Sequence, residues 1–132
     1  MDYNTISSDV LRGYIDLMIL RVLTEGDSYG YEISKKITEL SQNGYTISYA
    51  ARTGQVACGS AAPALQGYTM KETTLYSAFT RLEKLGYLRP YPGTYSGGRE
   101  RTYYNLTTAG RIYYHQKCVE WELTKELISK FV

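Results

Sequence analysis

The segment TMKETTLYSAFTRLEKLGYLRPYPGTYSGGRERTYYN, residues 69–105, begins with a helical pattern and continues with a hairpin pattern. In its first half, apolar residues recur three and four positions apart, which is typical of a helix packed on a core. They are Leu75, Ala78, Phe79, Leu82 and Leu85. Thr69 and Glu72 have the spacing of a capping box, so we expect the helix to begin there. It should end near Leu85, because Gly86 follows.

The second half of the segment predicts a two-stranded hairpin. Residues 87–91 and 101–105 are rich in aromatic and β-branched residues, and a loop rich in Gly and Ser joins them. Pro90 and Pro92 restrict the first strand to a sheet edge or end it early, because proline has no N–H for a second neighbour. A helix followed by a hairpin with arginines near its tip is the outline of a winged helix-turn-helix. We therefore expect a mainly α fold with a small β-hairpin (α+β), and double-stranded DNA as its ligand.

The solvent face of this helix and the hairpin tip carry the candidate DNA-binding residues. Hydroxyls and a phenol on the helix suit base edges in the major groove. Cations near the helix ends and on the hairpin suit phosphates or a minor-groove edge, and Arg81 suits either these contacts or base edges in the major groove. The full predicted set is Lys71, Thr73, Thr74, Tyr76, Ser77, Thr80, Arg81, Lys84, Gly98, Arg99 and Arg101. The alternative interpretation is a merely solvated helix face, with Tyr76 packed against the hairpin.

The distribution of charge agrees with this placement. The net charge is only +2, but residues 71–101 carry six Lys or Arg against three Glu, which gives +3. Residues 1–70 carry five basic against seven acidic residues, giving −2, and residues 102–132 carry four against three, giving +1. The positive excess therefore falls on the predicted reading helix and hairpin.

Composition disfavours several other functions. Two cysteines, Cys58 and Cys118, and the lone His115 are too few for a closed zinc site, so we expect no metal and no cofactor. We find no nucleophile with a base, no carboxylate pair and no phosphate-binding loop, so we expect no catalytic residues and no enzyme. The sequence has no run of 18 apolar residues and no secretory leader pattern, so we expect a cytoplasmic protein without a membrane partner.

Three further helices are predicted. The first covers residues 10–23 and the second runs from residue 29 to about residue 40. The last begins near residue 108 and continues to the C-terminus. Each follows residues that commonly cap helices. The candidates are Ser7, Ser8 and Asp9 for the first, Asp27 and Ser28 for the second, and Thr107 or Thr108 for the last.

The last helix carries two apolar stripes, which one small domain can hardly cover. One stripe contains Ile112, Val119, Leu123 and Leu127, and the other contains Tyr114, Cys118, Trp121 and Ile128. We expect one stripe to pack within the chain and the other, assigned to the side that carries Trp121, to form a homodimer. A stripe left exposed in a monomer is the alternative.

Residues 48–70 differ in composition from the rest of the chain. They contain six Ala, three Gly and one charged residue, Arg52, and GYTI and GYTM lie 23 residues apart around them. We interpret the stretch as an insertion in a helix-turn-helix connection, with a short strand possible around Ile47. The expected organisation is thus a winged helix-turn-helix DNA-binding domain over residues 1–106, with the insertion at about 48–70. A C-terminal dimerisation helix follows over residues 107–132.

Outside the insertion, four stretches resemble the PadR family of bacterial transcriptional regulators. They are LRGYIDLMILRVL at 11–23, GDSYGYEISKKI at 26–37, ETTLYSAFTRLEKLGYL at 72–88 and SGGRERTYYNLTTAGR at 96–111. The resemblance implies a repressor that dimerises through its N- and C-terminal helices and binds a roughly palindromic operator. A small-molecule effector or stress signal would release it. Glu100, between Arg99 and Arg101, and the insertion depart from the family pattern.

The resemblance also implies roles for particular segments. TLYSAF at 74–79 falls on the family's recognition helix, YGYEI at 29–33 on its supporting helix and SGGRERTYY at 96–104 on its wing. In multidrug-responsive members, a tryptophan on the last helix stacks against flat aromatic effectors, so Trp121 is a candidate effector-binding residue. Ordinary interface packing is the other interpretation of Trp121. A winged-helix module that binds proteins, without specific DNA binding, is the alternative function.

Overall fold

The computed structural model of the protein describes residues 5–42, 46–48, 67–96 and 99–132, which form helices accompanied by two small sheets. A 3-10 turn, Arg12–Tyr14, joins the first two helices. In chain order the other elements are β1 (Thr5–Ser7), α1 (Ser8–Leu11), α2 (Ile15–Leu23), β2 (Ser28–Tyr29), α3 (Gly30–Leu40), β3 (Thr46–Ser48), α4 (Glu72–Lys84), β4 (Leu88–Ser96), β5 (Arg99–Leu106) and α5 (Thr108–Ile128).

The larger sheet has the strand order β2-β5-β4 and is antiparallel throughout. The predicted hairpin is confirmed and is longer than expected. β4 lies at the edge, so Pro90 and Pro92 are tolerated there, as predicted. β2 adds a third strand of only two residues, with Tyr29 opposite Tyr103. β1 and β3 form a separate parallel pair, with Ile6 opposite Ile47.

The core lies where α2, α3 and α4 meet the sheet. Its fully buried side chains are Ile19, Leu20, Val22, Leu23, Ser28, Ile33, Phe79 and Leu82. Phe79 of α4 stacks on Tyr104 of β5 with ring centroids 4.3 Å apart, which fixes the helix against the hairpin. The predicted buried face of α4 is confirmed except at Leu85. That residue is 54% exposed because the helix ends at Lys84 and the chain turns away through Gly86, whose φ is +81°.

Two predicted helix starts are wrong. α4 begins at Glu72 with Lys71 at the N-cap, so Glu72 is the first helical residue and cannot complete a capping box with Thr69. For α3, neither Asp27 nor Ser28 is the cap, because Tyr29 occupies that position. Ser28 instead donates its hydroxyl hydrogen bond to the Glu32 carboxylate within α3. A cap has to precede its helix directly, and both helices begin later than the pattern indicated.

Two other predicted caps are confirmed. The Ser7 hydroxyl accepts a hydrogen bond from the backbone N–H of Asp9, and the Thr107 hydroxyl accepts one from that of Gly110. The predicted first helix is broken by the 3-10 turn into α1 and α2. The predicted short strand around Ile47 is present as β3. Residues 49–66 lie outside the described residues, so the insertion remains a prediction.

Candidate nucleic-acid interface

The outward face of α4 presents a row of polar side chains beside the hairpin. Four residues of its core face are buried, namely Leu75, Ala78, Phe79 and Leu82. On the other side, most of the predicted DNA-binding residues are exposed: Lys71, Thr73, Tyr76, Ser77, Thr80, Arg81 and Lys84. Thr74 is half-buried, and the Thr80 hydroxyl donates to the backbone carbonyl of Tyr76 at 3.0 Å. The folded chain thus brings short hydroxyls and cations onto one accessible helix face.

Tyr76 is anchored on one side while remaining 46% exposed. Its ring meets Phe79 edge-on at 5.4 Å between centroids, and its phenol lies over Gly30 at the start of α3. A Cβ at residue 30 would overlap the phenol, so a glycine is required for this approach. Tyr76 therefore packs against α3, whereas the alternative interpretation of the sequence placed it against the hairpin.

Arg101 is held on the hairpin by an aromatic stack. Its guanidinium carbon lies 5.1 Å from the ring centroid of Tyr29, and that ring lies 5.3 Å from the ring of Tyr103. Within the described part of the chain, no hydrogen-bond partner meets the buried Nε of Arg101. A groove of about 570 Å³ runs between α3, α4 and β5, and Tyr76, Glu100 and Arg101 line it. Stacking on tyrosine limits the freedom of the guanidinium while leaving its charge available.

Arg81 makes a contact that the sequence did not indicate. Its Nη1 and Nη2 donate to the two carboxylate oxygens of Asp16 in α2, at 2.6 Å and 2.7 Å. These hydrogen bonds raise the pKa of the Arg81 guanidinium. Asp16 and Arg81 are 65 residues apart in the chain, so no local pattern could pair them.

Two further predicted cations border the same face. Lys71 and Lys84 are exposed at the two ends of α4, and Arg99 begins β5 opposite Ser96. Gly98 lies outside the described residues. Sequence analysis missed Arg12, which lines a second groove of about 430 Å³ on the other flank of α4 and pairs with Asp9 at 2.7 Å. Its position in a turn far along the chain from α4 gave no signal.

The base of the hairpin is fixed by Asp27, which the sequence suggested only as a cap. Its carboxylate accepts hydrogen bonds from the Tyr91 hydroxyl at 2.6 Å and from the Asn105 amide at 2.9 Å. The bond from Tyr91, followed by that from Asn105, lowers the pKa of Asp27. The same contact raises the pKa of Tyr91. This cluster joins the chain just before β2 to both strands of the hairpin.

Trp121 lies away from the α4 face, beside an apolar cavity of about 550 Å³ between α2, α3 and α5. Its ring meets Tyr14 of the same chain edge-on at 5.3 Å between centroids. The cavity is lined mainly by apolar side chains, including Leu17, Met18, Ile37, Leu40, Tyr114, Val119 and Trp121. The stripe that carries Trp121, which the sequence analysis assigned to the dimer, thus has contacts within its own chain, although Trp121 and Ile128 are still 39% and 51% exposed. The other stripe is more exposed, at 55–60% for Ile112, Val119, Leu123 and Leu127, and Val119 also borders the cavity.

Two absences hold for the described residues, 5–42, 46–48, 67–96 and 99–132. No group of three His, Cys, Asp or Glu side chains among them could hold a metal ion. None of the helices they form is long and apolar enough to cross a membrane.

A helix-turn-helix with its second helix beside a hairpin, both accessible, defines a winged-helix protein. Comparison with known proteins then gives the family. The model of the transcriptional regulator PadR-like family matches residues 60–116, which include α4, the hairpin and the start of α5. The chain belongs to this family.

Individual relatives support the assignment over almost the whole chain. A transcriptional regulator from Clostridium thermocellum is 50% identical, with 96% of this chain and 98% of that one covered and a TM-score of 0.72. A PadR family transcription regulator from Clostridium difficile is 30% identical, with 90% and 98% covered and a TM-score of 0.63. A Lysinibacillus sphaericus protein, Uncharacterized protein X, is 35% identical over 127 residues, with 96% of this chain and 95% of that one covered.

Family membership confirms three expectations from the sequence. The resemblance to PadR regulators and the mainly α winged-helix fold are both confirmed. Proteins of this family regulate transcription and are not enzymes, so the exclusion of catalysis is also confirmed. The chain is therefore a transcriptional regulator of a family that acts on DNA.

Proposed function

We propose that this regulator is a homodimeric repressor that binds a palindromic operator and is released by a small effector or a stress signal. The observation that carries the proposal is the accessible polar face of α4, which lies between two grooves and beside a hairpin bearing Arg101. An α-helix with short polar side chains fits the major groove of B-DNA, and the neighbouring cations fit its phosphates.

Within this proposal the residues divide between two tasks. Thr73, Tyr76 and Ser77 are exposed near the start of α4, where helices of this class meet base edges. Thr74, which is half-buried, and Thr80 border them. Phosphate contacts are assigned to the cations Lys71, Lys84, Arg99 and Arg101, because their charge suits any sequence equally. Gly98 is assigned to the same task through its backbone N–H group.

The proposal of a dimer is supported by the outer surface of α5. Of the 21 residues of this helix only Gly110 is buried in the single chain. Four apolar residues on its outer face are 55–60% exposed: Ile112, Val119, Leu123 and Leu127. A second copy related by twofold symmetry would cover this row. Replacing Val119 and Leu123 by Glu should give a monomer in light scattering. If the variant stays dimeric, the interface lies elsewhere.

The proposal of an effector site is supported by the cavity beside Trp121. An apolar cavity of about 550 Å³ is in the size range of small-molecule sites, and aromatic rings on its wall suit a flat aromatic ligand. Trp121 is the only tryptophan of the chain, so tryptophan fluorescence reports on the surroundings of this one residue. Planar dyes should quench the emission and weaken DNA binding. A broad panel of dyes without quenching would assign Trp121 to packing.

Selection of bound sequences from random duplexes tests the proposal as a whole. A dimer with two reading helices should enrich a palindrome whose half-sites are about one helical turn apart. The same selection evaluates the alternative of a protein-binding module. Such a module would retain duplexes weakly and enrich no sequence, and that result would refute specific DNA binding.

A further inference from the structure

Three helices meet at the carboxylate of Asp16. The side chain lies on α2 and accepts both guanidinium hydrogen bonds of Arg81 from α4. Its Oδ2 also accepts a hydrogen bond from the hydroxyl of Tyr113 on α5, at 3.3 Å. The tyrosine ring in turn stacks on Tyr87, just beyond the end of α4, with centroids 4.3 Å apart. The last helix therefore contacts the turn just beyond the proposed reading helix through Tyr87, and it is linked to the helix itself through Asp16.

The Asp16–Arg81 pair differs from an ordinary surface ion pair. Both oxygens of Asp16 are used, and its side chain is only 12% exposed, while that of Arg81 is 50% exposed. A two-bond fork between planar groups restricts their relative orientation, which a single ion pair does not. The contact therefore limits rotation of α4 relative to α2.

Rotation of α4 matters because Arg81 lies one helical turn after Ser77 in the proposed reading face. At a radius of about 6 Å from the helix axis, a rotation of about 10° moves a side chain by about 1 Å. Hydrogen bonds occupy a distance range of only about 0.5 Å. A small rotation is therefore sufficient to separate the α4 hydroxyls from base edges.

We propose that Arg81 is a positioning residue: Asp16 holds it, and through it sets the reading face of α4 relative to α2 and, by way of Tyr113, relative to α5. This inference rests on the proposed function of α4. It gives Arg81 a role other than the direct base or phosphate contact expected from the sequence. It also provides a physical route by which a displacement of α5, the helix proposed for dimerisation, changes the fit of α4 to its operator.

The test measures affinity for the selected operator and for a scrambled duplex of equal length, at several salt concentrations. Asp16→Asn, Arg81→Gln, Arg81→Lys, Tyr113→Phe and the double variant Asp16→Asn/Arg81→Gln are compared with the unaltered protein. Glu25→Gln is the matched control, because it removes an acidic partner from an exposed ion pair with Arg21 of α2. Urea unfolding of each variant verifies that it is folded.

Positioning predicts that Asp16→Asn and Arg81→Gln each lower the ratio of operator to scrambled affinity by about tenfold. The double variant should lose no more than either single one, since both remove the same contact. Arg81→Lys keeps the charge without the fork and should not restore the ratio. Tyr113→Phe should lower the ratio by a smaller factor, about threefold, and Glu25→Gln should not change it.

Other outcomes overturn the inference. If Arg81 contacts phosphate, Arg81→Gln lowers the salt slope by about 0.9 per contact and Arg81→Lys restores binding. In that case Asp16→Asn tightens binding to every duplex, because an acidic group near DNA is removed. An unchanged ratio in Tyr113→Phe would remove α5 from the inference. A failure of the proposed function is distinguishable, because the unaltered protein itself would then bind both duplexes equally.

Discussion

The salt dependence of DNA binding gives a quantitative test of the hairpin. Arg101 is stacked on Tyr29, and Arg99 lies two residues earlier, opposite Ser96 at the tip of the hairpin. If both contact phosphates, the variant Arg99→Ala/Arg101→Ala loses two contacts per chain and four per dimer. Each contact contributes about 0.9 to the slope of log affinity against log salt, so the slope should fall by about 3.6.

This difference is large enough to measure by fluorescence anisotropy with a labelled operator. When salt rises from about 50 to about 200 mM, a fourfold increase, the unaltered protein should lose about 150-fold more affinity than the variant. This factor is four raised to the power of about 3.6, the difference between the two slopes. The scrambled duplex should show the same change of slope, because phosphate contacts do not depend on sequence. Affinity for both duplexes should be lower in the variant at every salt concentration within this range.

A matched control removes the same charge elsewhere. Arg89 is near the opposite end of β4 and Arg111 is in the first turn of α5, so Arg89→Ala/Arg111→Ala should leave the slope almost unchanged. An equal fall in the control would mean that only the net charge matters. An unchanged slope in Arg99→Ala/Arg101→Ala would refute the assignment of the hairpin to phosphates.

Three further predictions concern stability. Phe79→Ala removes a buried ring that stacks on Tyr104, so the free energy of unfolding measured by urea titration should fall by about 3–5 kcal/mol. A loss below about 1 kcal/mol would contradict this packing. The hydrogen bond from Tyr91 lowers the pKa of Asp27 below its usual 3.8, so the stabilisation by this carboxylate is present above that pH and is lost as the pH falls through the lower pKa of the folded state. Asp27→Asn should therefore be less stable than the unaltered protein at about pH 6 but not at about pH 2. A constant difference in stability between the two proteins would refute this. Gly110→Ala places a Cβ against the backbone carbonyl oxygen of Tyr87, where α5 contacts the turn after α4. Thermal unfolding should show a loss of about 1–3 kcal/mol in the free energy of unfolding. An unchanged midpoint would mean that α5 shifts freely.

The local features of the fold could be predicted from the sequence. The buried face of α4 follows from the spacing of Leu75, Phe79 and Leu82, because a helix repeats every 3.6 residues wherever it lies. The edge position of β4 follows from Pro90 and the cap of α5 from Thr107, since both depend on the chemistry of one residue and its neighbours. These predictions required no knowledge of distant contacts.

The contacts that fix the candidate site could not be predicted in the same way. β2 has two residues, too few to show alternation, and it becomes a strand because it pairs with β5, which follows it by about 75 residues. The exposed face of α4 was identified correctly. The hydrogen bonds from Arg81 to Asp16 and the contact of Tyr76 with Gly30 depend on how separate helices pack. Sequence patterns give the composition of the reading face, and tertiary contacts give its orientation.

Several of the 15 tyrosines in the sequence take part in these same tertiary contacts. Tyr29 and Tyr103 join two strands, while Tyr87 and Tyr113 join the turn after α4 to α5. A ring buries as much apolar surface as several aliphatic groups, which helps a small domain with a short sheet. The hydroxyl adds a polar end at the surface, as where Tyr113 donates to Asp16. Phenylalanine would supply the stacking but not that hydrogen bond, which is the contact that Tyr113→Phe removes.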